Sequence, residues 1–310
     1  IPFEDIEEVI ISELGEDYKK YFRRINRKPT ATASIAQTHQ AVLNNGREVI
    51  LKIQLPNIQK KIKTDLDILF NLANIAEERN LFSDFIKPTK LVEEFKESLL
   101  KELDFKREIA NMNRFENNFS ENPNIIVPEV NKELSTERII VMDEIKGVKL
   151  NEIDSAPHPE IDKGVLAEVG AKAFMKQVFI DGFFHADPHP GNIFIVDGDK
   201  IAYIDFGIVG QLTSEIKTQF SLLFFAFLRT KVDIIVDIIM DLGVIDRDIN
   251  LNKFKLDIHD LLNKYYGVEL SELDLMSVID DFQRIIYKYH IRMPQEFFLM
   301  IRSIAVSEGV

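Results

Sequence analysis

Residues 183–207 read FFHADPHPGNIFIVDGDKIAYIDFG, and this stretch decides the fold class. Its apolar runs predict one strand at 193–196 and a second strand at 201–204. Asp197 and Asp199 are assigned to the turn between the strands, since Asp favours turns. A loop therefore leads into a hairpin, and polar residues stand at both ends of the unit.

Three of these polar residues have the types and spacing that phosphoryl transfer requires. His185-Ala186-Asp187, followed by Asn192, has the spacing of a kinase catalytic loop, and Asp205-Phe206-Gly207 matches the metal-binding DFG motif. Mg²⁺ prefers oxygen ligands, which Asp205 and Asn192 can supply. Asp187 then orients or deprotonates the attacking hydroxyl or water.

Two other interpretations of the same residues stay open. Asp187, Asn192 and Asp205 could be turn and cap residues that flank a surface hairpin. A Zn-type site could instead use His185, Asp187 and His189 if the segment is extended, but it needs further ligands from a chain with only six His. The kinase-like interpretation ranks above both.

The composition sets limits on the class of protein. The 310 residues are 45% apolar and 29% charged, which is typical of a globular chain, and we expect two lobes at 1–145 and 146–310. The net charge of −13 argues against nucleic acid as a partner. The absence of Cys excludes disulfides and thiol chemistry, and it fits a cytoplasmic location. The first residue is not Met, and this predicts that the chain is a fragment of a longer protein.

The first half of the chain supplies a lysine on a predicted strand. Two β-type runs joined by Asn44-Asn45-Gly46 indicate a hairpin, and Lys52 lies in its second strand. This is the place of the kinase lysine that pairs with phosphates, although a lone strand lysine is more often an edge residue. The loop before it has no Gly. Its residues are Ala31, Thr32, Ala33 and Ser34.

These motifs together resemble the UbiB-like atypical kinases, which are linked to ubiquinone biosynthesis and carry an Ala-rich loop. The resemblance rests on ATAS, VILK, KELDFKRE, HADPHPGN and DFG, and it extends over essentially the whole chain. It implies a bilobal, protein-kinase-like α+β fold that binds ATP or ADP with Mg²⁺. It also implies a Lys-x-Gly-Gln segment before Ile1 and, in many members, membrane anchors after Val310.

The resemblance further assigns the acidic residues of a predicted helix at 91–115. Glu102 and Asp104 become the Glu-x-Asp motif, which faces the Lys-x-Gly-Gln segment, and Glu108 becomes the preferred partner of Lys52. A helix-borne Glu is needed to hold the strand lysine. The hinge that holds adenine through its backbone is expected at Met142, Asp143, Glu144 and Ile145.

Apolar periodicity predicts the remaining elements. We expect a helix at 3–25, a packing helix at 58–79 covering the small lobe, and small-lobe strands at 125–128 and 138–144. In the second half, we expect an apolar helix at 166–180 and five further helices from 214 onward. The Phe-rich stretch at 220–228 is interpreted as core. No activation segment fits between Gly207 and a helix capped by Thr213 or Ser214.

The function expected from these features is that of an atypical kinase or ATPase supporting isoprenoid-quinone or related lipid metabolism. A lipid, a quinone precursor and the cytoplasmic face of a membrane are the further partners that the resemblance implies. The alternative is a nucleotide-gated scaffold or lipid-binding pseudokinase with little turnover.

Overall fold

The computed structural model describes residues 1–79, 87–155, 158, 161–245, 249–268 and 274–308. The chain forms two compact units. Unit 1 comprises 1–121, 126–146 and 204–207, and unit 2 comprises 122–125, 147–203 and 208–310. The predicted α+β class is confirmed, because each unit combines helices with a β-sheet.

The helices are α1 (Phe3–Leu14), α2 (Ile58–Glu78), α3 (Pro88–Glu102), α4 (Phe105–Phe119), α5 (Lys163–Met175), α6 (Ser214–Leu228), α7 (Val232–Leu242), α8 (Leu251–Lys264), α9 (Leu275–Lys288) and α10 (Gln295–Glu308). The strands are β1 (Phe22–Ile25), β2 (Ala31–Thr32), β3 (Ala36–Leu43), β4 (Glu48–Gln54), β5 (Ile125–Ile126), β6 (Ile139–Asp143), β7 (Val148–Lys149), β8 (Phe183–His185), β9 (Ile193–Val196), β10 (Lys200–Tyr203), β11 (Val209–Gln211), β12 (Val244–Ile245) and β13 (Ile291–Arg292). Among the described residues, no helix combines the length and apolar composition needed to cross a bilayer.

Unit 1 is built on an antiparallel sheet with strand order β1-β3-β4-β6, and β2 pairs with β3. The predicted hairpin is confirmed, with β3 and β4 joined through the Asn-Gly turn. Gly46 has φ +89°, which favours glycine at this position. Helix α1 packs the apolar side of this sheet through Ile6 and Ile10, both fully buried.

Three predicted elements of the first half of the chain are wrong. The helix expected at 3–25 ends at Leu14, because Gly15 has φ +85°, and the chain continues into a short 3₁₀ turn and β1. The helix expected at 91–115 is broken before Phe105, where Asp104 caps α4. The strand expected at 125–128 is only Ile125–Ile126, and it is part of a sheet with β9 and β10.

The helix predicted at 58–79 is confirmed as α2, but only some of the apolar residues that predicted it are buried. Leu66 and Ala73 are buried, whereas Leu69, Phe70 and Ile75 are exposed. The periodicity places these residues on one helix, but it does not decide which of them meet a partner.

Unit 2 contains the hairpin predicted from the apolar runs at 193–196 and 201–204. Strands β9 and β10 pair antiparallel, Lys200 opposite Val196. Asp197 at φ +54° and Gly198 at φ +86° form the turn, as the sequence predicts. In the same unit, helices α6 to α10 share one apolar core, which includes Phe220, Ile239 and Phe254. The five helices predicted from residue 214 onward are therefore confirmed within the described residues.

Two expectations for unit 2 need correction. The helix expected at 166–180 stops being α-helical at Met175 and continues as a π-helix to Asp181, ended by Gly182 at φ +59°. The stretch at 220–228 is not all core. Phe220 and Ala226 are buried, but Leu222, Phe225 and Leu228 are exposed, because residues 222–228 are all apolar and extend around every face of the second half of α6.

Candidate functional site

Lys52 lies in the centre of the unit 1 sheet. Its strand, β4, pairs with β3 and β6, so that Lys52 stands opposite Thr38 on one side and Ile140 on the other. The flanking residues Leu51 and Ile53 are fully buried on the opposite face. Strand alternation therefore directs Lys52, together with Ile50 and Gln54, to the face that carries α4.

Two carboxylates surround the Lys52 ammonium. Its Nζ is 2.6 Å from Glu108 Oε1 and 3.4 Å from Asp205 Oδ2. Burial opposes the positive charge, but the fields of Glu108 and Asp205 outweigh it, and the pKa of Lys52 is raised. Lys52 is therefore held as a cation that faces two acidic groups, and one of them, Glu108, is buried.

The segment Asp205-Phe206-Gly207 is anchored to α4. The Phe206 ring is fully buried, 5.0 Å from the Phe115 ring, and Asn111 Nδ2 donates to Phe206 O at 2.9 Å. Gly207 N donates to Asp205 Oδ1 at 3.0 Å. The same helix that supplies Glu108 therefore holds the backbone next to Asp205.

Asp104 determines where that helix begins. Its carboxylate accepts hydrogen bonds from Lys106 N at 3.1 Å and Arg107 N at 3.4 Å, as an N-cap does. Glu102 ends the preceding helix, α3, and lies on the other side of the break. Asp104 and Glu108 therefore do not share the face of one continuous helix, as the predicted helix at 91–115 required.

The Ala-rich segment forms a tight, exposed turn without glycine. Thr32 Oγ1 accepts from Gln37 Nε2 at 3.2 Å, and Ala33 N donates to Ala36 O at 2.8 Å. Ala31, Thr32, Ala33 and Ser34 are all exposed, and none of them has a positive φ. The turn therefore does not need the left-handed backbone that only glycine adopts readily.

The predicted hinge is held by polar contacts of its own. Arg47 Nη2 donates to Asp143 Oδ2 at 2.7 Å, and Gln40 Nε2 donates to Glu144 Oε1 at 2.5 Å. The backbone N–H of Asp143 donates to Glu129 O. Met142 is buried at the end of β6, and Ile145 follows it outside the strand. The adenine-binding role of these residues stays a prediction.

In unit 2, the loop with Asp187 and Asn192 follows β8. This strand pairs with β11, and Gly210 lies opposite Phe184 so closely that a Cβ there would meet the ring at 2.1 Å. His189 N donates to Asp187 O, and Asn192 N donates to His189 O, each at 2.7 Å. The loop is thus folded back on itself, and Asp187 and Asn192 are both partly exposed.

The two histidines of this loop accept hydrogen bonds from the loop's own backbone. His185 is buried, and its Nδ1 accepts from Asp187 N at 3.2 Å, while His189 Nδ1 accepts from Gly191 N at 3.0 Å. Across the described ranges, no three His, Asp or Glu are grouped as metal ligands. The structure does not bring His185, Asp187 and His189 together as such a group.

Sequence reasoning missed two residues that contact this loop. Arg302 Nη2 is 3.0 Å from Asp187 Oδ2, and Ser303 Oγ donates to His185 O at 2.7 Å. The available signal was a charged and a polar residue inside the apolar helix α10. Spacing alone could not identify their partners, which lie more than a hundred positions earlier in the chain.

Comparisons with known proteins agree with these motifs. The chain matches the ABC1 atypical kinase-like domain over residues 1–239 and the UbiB helical domain over 258–310. A Clostridium pasteurianum protein described as an uncharacterized protein in the hydrogenase 1 5′ region is 35% identical, over 99% of this chain and 58% of that protein. The probable protein kinase UbiB of Aliivibrio fischeri is 30% identical, over 96% of this chain and 56% of that protein.

A solved structure is similar in fold. The complex of Rv3197 with erythromycin from Mycobacterium tuberculosis aligns with a TM-score of 0.70 at 21% identity, and the alignment covers 100% of this chain and 78% of that chain. At this identity the likeness concerns the fold. The chain spans less than two thirds of the length of both curated relatives.

Proposed function

Because the chain belongs to the ABC1 atypical kinase-like family, we propose that it binds ATP with Mg²⁺ and transfers or hydrolyses the γ-phosphoryl group. The observation that carries the proposal is the Lys52 ammonium held between Glu108 and Asp205. Phosphoryl transfer depends on positioned charge far more than on covalent chemistry, and this cluster holds a cation for phosphate oxygens.

The residues present have the chemistry to hold Mg²⁺. Asp205 supplies a partly exposed carboxylate, and Asn192 supplies a partly exposed amide oxygen, the hard oxygen ligands that Mg²⁺ prefers. Bound Mg²⁺ neutralises charge that develops on the phosphate oxygens. Asp187 orients the attacking hydroxyl or water and accepts its proton.

The proposed acceptor is water, a small molecule or a lipid, not a peptide. Five residues separate Gly207 from Thr213, and three of them form β11. Thr213 Oγ1 then accepts from Ile216 N at 3.2 Å and starts α6. An ordered activation segment, on which protein kinases depend for control, has no room here. Isoprenoid-quinone or related lipid metabolism at a membrane surface is the proposed setting, and the family resemblance supports it.

Two substitutions separate metal binding from proton transfer. Asp205→Asn should abolish the Mg²⁺-dependent rise in melting temperature on adding ATP. Asp187→Asn should retain that rise while lowering ATP turnover about 10²–10⁴-fold, because a positioned proton acceptor contributes that much. Asp199→Asn, in the hairpin turn, is the matched control and should behave like wild type.

Three results would count against the proposal. If Asp205→Asn and Asp187→Asn both bind Mg·ATP and hydrolyse it like wild type, the assigned roles are wrong. Tight ADP binding without turnover in wild type would favour the nucleotide-gated scaffold. Sequence-selective peptide phosphorylation by the full-length protein would contradict the choice of acceptor.

A further inference from the structure

Helix α10 contacts the loop that carries Asp187 through two consecutive side chains. Ser303 is fully buried, and its hydroxyl donates to the backbone carbonyl of His185 at 2.7 Å. Arg302 is half exposed, and its guanidinium is 3.0 Å from the Asp187 carboxylate. One residue therefore fixes the backbone of the loop, and the next holds its acidic side chain.

The loop has no arginine or lysine of its own. The kinase motif His-Arg-Asp has an arginine directly before the aspartate. Here that position is Ala186, which is completely buried, and residues 183–192 contain neither Lys nor Arg. A cation reaches Asp187 from α10, in the segment that matches the UbiB helical domain.

Geometry favours a functional role for this pair over a stabilising one. An exposed ion pair typically adds little to stability. The Arg302 backbone is positioned by the buried neighbour Ser303, however, and the planar guanidinium loses less freedom per hydrogen bond than a lysine would. The pair is thus suited to hold one carboxylate in one orientation.

We infer that Arg302 is a positioning residue for the reaction, acting through Asp187. The inference rests on the proposed function. In the reaction, the acceptor oxygen bonds to the γ-phosphorus and the bond from that phosphorus to the β–γ bridging oxygen breaks. ADP leaves with the electron pair, and the acceptor proton passes to Asp187. Arg302 keeps the Asp187 carboxylate turned toward that proton, so the helical module is required for turnover and not for nucleotide binding.

The test is a double-mutant cycle in the full-length protein, measured as single-turnover hydrolysis of ATP with Mg²⁺. Arg302→Gln should lower the rate about 10–100-fold, the scale that a misplaced catalytic group costs. In the Asp187→Asn background, the same change should have little further effect, because the two residues act as one unit. Arg302→Lys should fall between Gln and wild type.

Two controls separate positioning from folding. Arg284→Gln removes an exposed arginine of the same module, paired with Asp281 at 3.5 Å, and should leave the rate unchanged. Nucleotide affinity, measured by titration with a fluorescent ADP analogue, should be the same in wild type and Arg302→Gln.

Each other result overturns the inference in a distinguishable way. A wild-type rate in Arg302→Gln removes the role of Arg302 and leaves the proposed function intact. Equal losses with and without Asp187, or a loss of ADP binding, would mean that Arg302 acts through the fold. If wild type shows no turnover of ATP, the proposed function fails, and the inference fails with it.

Discussion

The two charged clusters that carry the candidate chemistry differ in their access to water. In unit 1, the side chains of Lys52 and Glu108 are 13% and 4% exposed. In unit 2, those of Asp187 and Arg302 are 29% and 50% exposed. A buried ion pair is costly to break, because one uncompensated charge stays in the interior, whereas an exposed pair is replaced by water. The first cluster is therefore part of the fold, and the second can change without unfolding it.

The largest expected effect follows from removing one charge of the buried cluster. Glu108→Gln removes the carboxylate nearest the Lys52 ammonium. The Asp205 carboxylate, 3.4 Å from Lys52 Nζ, then stays as its partner. We expect the free energy of unfolding to fall by about 3 kcal/mol, the lower end for breaking a buried pair. Urea unfolding followed by circular dichroism measures the change.

The matched control is Glu116→Gln, an exposed position on the same helix, α4, with an expected change within about 0.5 kcal/mol. If Glu108→Gln costs no more than Glu116→Gln, the contrast between the two clusters disappears. Replacing Lys52 and Glu108 together by Met and Leu should recover part of the loss, because a buried pair is often replaceable by apolar side chains.

A smaller effect is expected at the start of α4. Asp104→Ala removes the carboxylate that accepts from Lys106 N and Arg107 N, and should destabilise the protein by about 1 kcal/mol. Asp104→Asn retains the cap and should cost little. An equal loss in both variants would show that the charge matters and the cap does not, and would separate Asp104 from the positioning of Glu108.

The smallest expected effect is a loss of stability at low pH. On α8 and α9, hydrogen bonds from Lys288 and Tyr289 lower the pKa of Asp257, and those from Lys264 and Tyr265 lower the pKa of Asp281. A lowered folded pKa means that the unfolded chain binds protons first as the pH falls. The stability that these groups contribute is therefore present above their ordinary pKa near 3.8 and is lost as the pH falls through the folded values.

The pKa of Glu108 is shifted in the opposite direction. Burial raises this pKa, and the positive charge of Lys52 offsets only part of the rise. Its contribution to stability is present below its unfolded pKa, so acidification should weaken α8 and α9 before it weakens the Lys52 cluster.

The chain has no Trp, and Tyr287→Trp supplies an exposed fluorescent reporter on α9. When Asp257→Asn and Asp281→Asn are combined in this background, the change in Trp fluorescence on acidification should be smaller than without them. An unchanged acid profile would contradict the assignment.

Much of the fold was predictable because its signals are local. The turn residues Asn45-Gly46 and Asp197-Gly198 specify two hairpins, since few residues adopt the backbone angles of those turns. The cap of α6 was predictable as Thr213 or Ser214, because these side chains accept hydrogen bonds at helix N-termini, and the structure assigns it to Thr213. The errors occurred where local periodicity continues through a break. The apolar spacing runs on past Gly15 and past Asp104, and a single capping or positive-φ residue ended each helix.

For the candidate site, the sequence by itself determined which residue types are present and at what spacing. These were enough to select Lys52, Asp187, Asn192 and Asp205, since the chemistry of phosphate and Mg²⁺ restricts the residues that can serve. Glu108 was selected only by the family resemblance. Only the tertiary structure decided that Lys52 contacts both Glu108 and Asp205, and that Arg302 contacts Asp187. It also decided which apolar residues of α2 and α6 are buried and which are exposed. The physical reason is that charge pairing and burial depend on distances between segments far apart in the chain, and no local pattern encodes those distances.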